Sequence, residues 1–309
     1  MWTCYDMKKA GWSKLSSALW TAVLVTLIFV AVSGLFTGGQ NIISVIKYRI
    51  QFDGDFRSYF SDVYSGKMNS SSYVTILNSL QGLLGFLSIA AIFFLINPLG
   101  VGYARWFLTN RKKENPAGVS LLLSPFQQGC YFGVVSGTAW KYLWTYIWTI
   151  VAGLCFLPFY GVVFAGLFSI VISAGSYSGS TVSMGRDEIF NRLWDSFLNI
   201  APTFAIIAVI TLLLGLAGYI VITLNRKYAY FFTDFILAQN PTIGAKNALN
   251  LSKRMTYGIK AKLFVLDLSF IGWWLLSFLT CGILSLGVLP YTYATYTEVY
   301  LDRKAELHI

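Results

Sequence analysis

The sequence predicts an all-α protein threaded through a membrane: a polytopic transmembrane helical bundle of about six spans, with N- and C-termini cytoplasmic. Three observations predict it. Apolar residues make up 56% of the 309 and charged residues 12%, against about 25% charged in a soluble domain. Uncharged runs recur that are long enough to cross the roughly 30 Å of a bilayer's hydrocarbon, and the mean hydropathy is +0.62. Lys and Arg fall mostly on alternate connections between those runs. In hydrocarbon the backbone must satisfy its own polar groups, so continuous apolar runs read as helices. A β-barrel would show alternating segments of about ten residues instead.

The expected spans are residues 15–36, 74–96, 142–177, 200–224, 263–279 and 283–300, all in a single integral membrane domain covering 1–309. Asn97-Pro98 closes the second, and Thr280-Cys281-Gly282 turns the last two into a hairpin. The third run is too long for one straight crossing: its 36 residues give roughly 54 Å of helix. Pro158 near its middle predicts a kink there. Dividing the run into two spans would move a strongly basic connection to the other face. A basic arm followed by an apolar stretch and Ala31-Val32-Ser33 loosely fits a signal peptide with its cleavage site, but an uncleaved first helix is the simpler expectation.

Orientation follows from the cations. The N-terminal arm, the second and fourth connections and the tail hold seventeen of the 23 Lys and Arg. The remaining six (Lys47, Arg49, Arg57, Lys67, Arg186 and Arg192) are matched by six acids on the same side. The whole net charge of +10 therefore sits on one face, which places both termini in the cytoplasm. Topology accounts for this basic excess, so it does not imply nucleic acid.

Between spans, residues 42–52 and 56–64 read as short outer helices. Asp53-Gly54-Asp55 lacks the spacing of a calcium loop, since Tyr64 stands where a bidentate Glu belongs. Asn69-Ser70-Ser71 forms a glycosylation sequon. Gly129, Gly133 and Gly137 make a smooth ridge on a helix, either packed on the bundle or used for dimerisation. Residues 242–257 predict a cytoplasmic amphipathic helix, capped by Thr242 and ended by Gly258, with Lys246, Lys253 and Arg254 on its polar side. Those three cations, with Lys260 and Lys262, are the candidate contacts for anionic lipid headgroups. The alternative is a solvated connector.

Charges inside spans are costly and mark candidate sites. Asp267 and Glu298 qualify, both close to the cytoplasmic ends of their spans, where they can meet each other, Lys262 or Arg254. With Tyr291, Tyr293 and Tyr296 they form a candidate polar seam. It serves either as an ion-paired staple or as the lining of an inward-facing cavity. Tyr296 and Tyr300 also suit an interfacial aromatic belt, and Asn78 and Gln81 suit interhelical bonds.

The single histidine, His308, sits at the C-terminus. No Walker loop, dinucleotide fingerprint, zincin helix or nucleophile elbow is present. Cys4, Cys130, Cys155 and Cys281 have no metal-ligand spacing, and a structural disulfide is not expected. The expectation is a protein without enzymatic activity, metal or cofactor.

The stretch from Lys262 to Trp273 around Asp267, followed by Leu289-Pro290-Tyr291 and Ala294-Thr295-Tyr296, resembles a bacterial integral membrane protein family. It is catalogued as domain of unknown function nine-seven-five and is found mainly in Gram-positive bacteria. The segment Asn97 to Arg105, and Asn240-Pro241 with Ala245, Ala248, Leu251, Ser252 and Met255, are similar to the same pattern. The resemblance implies a plasma-membrane bundle and brings no catalytic residues with it. Between Lys141 and Arg226 it is weak.

The expected function is an envelope-associated role through membrane lipids, a membrane-protein partner or a homo-oligomer at the basic cytoplasmic face. One alternative is a permease using the seam near Asp267 and Tyr293. Another is an accessory or immunity protein that binds a peptide or membrane partner through its external loops. The threading itself is testable. With the four native cysteines replaced, Asn250→Cys reacts with a membrane-impermeant maleimide only after cells are permeabilised; labelling of intact cells would overturn it.

Overall fold

The computed structural model describes residues 2–52, 72–111, 117–127, 129–178 and 186–309, and every regular element among them is helical. The Asp53-Gly54-Asp55 segment, the sequon at Asn69, and Lys112 and Lys113 lie outside the described residues. Among the described residues, five helical stretches are long and apolar enough to cross a membrane: Leu19–Phe36, Asn78–Asn110, Tyr131–Ser169, Pro202–Gln239 and Lys260–Leu279. Their apolar side chains point outward; in the third-to-last case, Tyr131–Ser169, only 11% of the most apolar window is buried. Such a surface belongs against lipid. The chain divides into two compact units, Met1–Lys141 with Ala229–Ile309, and Tyr142–Tyr228.

The first unit opens with α1 (Cys4–Ser16), capped by a reciprocal Thr3–Asp6 box, and α2 (Leu19–Phe52). The first apolar run thus starts after a break at Ser17 and Ala18, and residues 42–52 continue α2 rather than forming a separate outer helix. Next, α3 (Ser72–Ala91) passes through one π turn, Ile92–Ile96, into α4 (Asn97–Asn110). Pro98 was expected to end the span, yet the helix runs on. Pro98 has no N–H to offer the carbonyl of Phe94 four residues back, and the Tyr131 hydroxyl donates to that oxygen at 2.8 Å. The bond from Asn97 N–H to Ile92 O completes the wider turn. As expected, Gln81 bonds across helices, its Nε2 donating to Ser44 Oγ at 3.0 Å.

A 3-10 turn, Val119–Phe126, lies along α4. Trp106 Nε1 donates to Ala117 O at 3.1 Å, and Ala117 N–H donates to Asn110 Oδ1 at 3.0 Å. The first part of α5 (Tyr131–Gly153) carries Gly133 against the Pro241 backbone and Gly137 against Leu237. Two of the three ridge glycines therefore pack within the bundle; Gly129, at φ +83°, lies in the turn before the helix.

After Ala229 the chain turns into α8 (Thr233–Gln239), whose Phe235, Ile236, Leu237 and Ala238 are buried. The amphipathic helix is α9 (Ala245–Thr256), starting later than predicted because Gly244, at φ +87°, is its N-cap. Thr242 instead bonds Asn240. Its Ala248, Leu249, Ser252, Met255 and Thr256 face the core. The expected span 263–279 is bent at Ser269 between α10 (Lys260–Leu268) and α11 (Ile271–Leu279).

The last expected span forms α12 (Ser285–Glu306), which is not among the five lipid-compatible stretches. The reason is its surroundings. It packs on α1, α2, α4 and α11, burying Thr292, Thr295, Thr297 and Glu298. A helix facing protein has no need of an apolar surface.

The second unit is a helical hairpin. The rest of α5, one 3-10 turn (Leu154–Phe156) and α6 (Leu157–Ser178) lie antiparallel to α7 (Arg186–Ala229). Arg226 stacks on Trp148 at 3.5 Å, Cys155 contacts Gly215 and Gly218, and Gly166 faces Phe204. The predicted break falls at Leu154–Phe156, just ahead of Pro158. Leu157 N–H reaches Leu154 O, the carbonyl that Pro158 cannot serve. With 44 residues, α7 is about 66 Å long, over twice the hydrocarbon thickness. Residues 186–199, expected in an external loop, are helical.

Close approaches at glycine make the packing testable. A Cβ at Gly11 would lie 2.8 Å from Thr295 N, and one at Gly102 would collide with the Leu122 carbonyl, while Gly100 has open space. Gly11→Ala and Gly102→Ala should each destabilise the protein by about 1–3 kcal/mol. Gly100→Ala, mid-helix, should be neutral or stabilise by about 0.5–1 kcal/mol. Thermal unfolding in detergent reads the difference.

Candidate functional site: a filled polar seam and a basic end

The seam residues meet protein partners. Tyr296 OH donates to Asp267 Oδ1 at 2.6 Å, which ties α12 to α10. Glu298 lies apart from Asp267 and accepts a two-pronged bond from Arg111, Nε to Oε1 at 2.6 Å and Nη2 to Oε2 at 2.8 Å. The carboxylate side chain is 8% exposed and the guanidinium 37%. That bond holds the Arg111 guanidinium above its ordinary pKa, against the opposing effect of burial. The expected partners of Glu298 were Asp267, Lys262 or Arg254; Arg111 was missed. An acid in an apolar run demands a cation at its own depth, but nothing in the sequence aligns two residues 187 positions apart.

Tyr293 and Tyr296 belong to one cluster of aromatic rings. Tyr293 packs against Tyr103 at 4.7 Å between ring centres, and against Phe107, Phe235 and Tyr296. Tyr103 bonds Thr26 at 2.7 Å. Tyr291 sits separately, edge-on to Trp12 and Phe270. Tyr300, expected in an interfacial belt with Tyr296, is buried, stacked on Phe235 and bonded to Gln239. Beside Glu298 a space of about 10 Å³ remains, lined by Lys14, Asn110 and Thr297 among others. That is room for one water at most.

Several cations are engaged in holding the fold. Lys8 Nζ donates to Ser269 O at 2.9 Å, at the break between α10 and α11, and lies over Phe270. Burial there pulls its pKa below the usual lysine value. Lys141 pairs with Asp234 at 2.7 Å. Arg303 donates to Met255 O and Tyr257 O, satisfying carbonyls at the end of α9. Among the candidate headgroup contacts, Lys262 lies over Trp2 and Lys260 is half-buried. Lys246, Lys253 and Arg254 are exposed on α9, Lys253 near the Tyr230 ring. Among the described residues Lys246 and Arg254 have no ion-pair partner.

The sequence also did not single out an open recess of about 580 Å³ where α4, α8 and α12 meet, lined by Arg105, Thr109, Gln239, Asn240 and Lys304. Its members are scattered over 200 positions, so only the fold assembles them.

A family described as a protein of unknown function, DUF975, matches residues 1–305. The chain belongs to DUF975. No curated protein and no solved structure matches it. The family match spans both units, including the hairpin of residues 142–228 where the sequence resemblance was weak.

The asymmetric burial of the Arg111–Glu298 pair yields an ordered prediction for this DUF975 member. Arg111→Ala strands a buried carboxylate and should cost about 3 kcal/mol. Glu298→Gln leaves a guanidinium that reaches solvent and should cost about 1 kcal/mol. Equal losses in thermal unfolding would contradict the depth assigned to the pair.

Proposed function

We propose that this is a non-enzymatic, multi-pass protein of the bacterial plasma membrane with both termini in the cytoplasm. It serves an envelope-associated role by binding anionic lipid headgroups at its basic end. The observation that carries this reading is the state of α9. Its apolar face is packed into the core, while Lys246, Lys253 and Arg254 remain exposed along the other side. A helix fixed in that way presents cations without paying a folding cost on binding. Each cation near an anionic surface adds about 1 kcal/mol.

The permease reading draws less support. Asp267 is bonded to Tyr296 and Tyr293 is enclosed by rings, so a substrate path along the seam would require breaking both. The accessory reading depends on external segments such as Gly54 to Ser70, outside the described residues.

The test is lipid retention by the full-length protein in detergent, read by native mass spectrometry. The triple variant Lys246→Gln/Lys253→Gln/Arg254→Gln should lose preference for phosphatidylglycerol over phosphatidylcholine by on the order of a hundredfold. An unchanged preference would exclude the mechanism.

A further inference from the structure

The geometry points to a discrete phosphate-binding site in the recess between α4, α8 and α12. It is separate from the exposed face of α9, and it deepens the headgroup reading by naming the group recognised. Two fixed cations line the recess, Arg105 from α4 and Lys304 from α12. Arg105 is half-buried, and among the described residues it has no hydrogen-bond or ion-pair partner. A guanidinium in that position offers a planar fork of donors suited to phosphate oxygens.

The neutral groups are arranged as donors too. Gln239 Oε1 accepts from Lys304 Nζ at 2.6 Å and from Tyr300 OH at 3.1 Å. Lysine can only donate, so this contact identifies the oxygen and leaves the amide Nε2 hydrogens for a ligand. Asn240 Oδ1 likewise accepts from Thr242 Oγ1 at 3.0 Å, leaving its Nδ2. The Thr109 hydroxyl completes the polar lining, and Leu108 and Ala238 supply the apolar part. Among the described residues no carboxylate lines the recess. Two cations and two amide donors, with no acid among the described lining, select an anion.

Its size and depth narrow the choice. About 580 Å³ is within the usual range of small-ligand pockets and exceeds what a halide needs. Arg105 lies five residues before the end of the apolar stretch Asn78–Asn110, about 7–8 Å along the helix, near the level of lipid phosphates. The phosphate comes from a lipid headgroup or from a soluble phosphate compound; both present the same oxygens.

The experiment uses full-length protein in detergent and two probes, short-chain phosphatidylglycerol and inorganic phosphate, with affinity measured by titration calorimetry. At least one probe should bind with 1:1 stoichiometry, and Arg105→Gln should weaken it at least about tenfold. Gln239→Glu keeps the oxygen that accepts from Lys304 and Tyr300 while putting a negative charge in the recess. It should abolish binding with little change in thermal stability, which covers the case where Arg105→Gln folds poorly. Binding of phosphatidylglycerol alone identifies a headgroup site; binding of inorganic phosphate identifies a soluble source. The α9 triple variant should leave this 1:1 affinity within about threefold, so failure of the surface reading and failure of the recess are separately visible. No saturable binding of either probe, or binding unchanged in Gln239→Glu, overturns the site.

Discussion

Hydrocarbon offers no hydrogen bonds, and the first unit is organised around the helix that could not tolerate it. α12 carries Thr292, Thr295, Thr297, Glu298 and Tyr300, all buried. Exposed to lipid, these groups would lose the bonds that water provides, at several kcal/mol each for unsatisfied atoms. Instead, the threonine hydroxyls return to carbonyls of their own helix, Glu298 takes Arg111, and Tyr296 and Tyr300 take Asp267 and Gln239. The neighbouring helices supply the shell that makes this possible. Gly11 and Gly102 permit the close approaches of α1 to α12 and of α4 to the 3-10 turn.

The same constraint explains how the chain treats Pro98 and Pro158. Each proline inside a helix leaves a carbonyl four residues back without its usual donor. At Pro98 the answer is a π turn and a tyrosine hydroxyl; at Pro158 it is a tightened 3-10 turn. Neither break ends the rod. The result is a set of helices longer than a bilayer is thick, α2 at 34 residues and α7 at 44, so regular structure continues past the hydrocarbon.

Engaged cations separate from available ones by geometry alone. Lys8, Arg111, Lys141 and Arg303 close helix ends or neutralise acids, which stabilises the bundle and removes them from contact with a partner. Arg105, Lys246 and Arg254 lack such duties among the described residues. A positive-inside count treats all these side chains alike, because its information is only which side of the membrane they occupy.

Composition, apolar run length and the placement of Lys and Arg determined by themselves that this is a helical membrane protein and roughly where its long rods lie. Those properties are local, set by the cost of placing a charge or a bare peptide group in lipid. The polar character of 283–300 was legible as well. Which carboxylate meets which cation, whether Tyr300 faces lipid or core, and the convergence of Arg105, Gln239 and Lys304 were decided by the tertiary structure. Each depends on the rotation and height of one helix against another, and an apolar run a dozen residues longer than the bilayer leaves both undetermined until its neighbours pack.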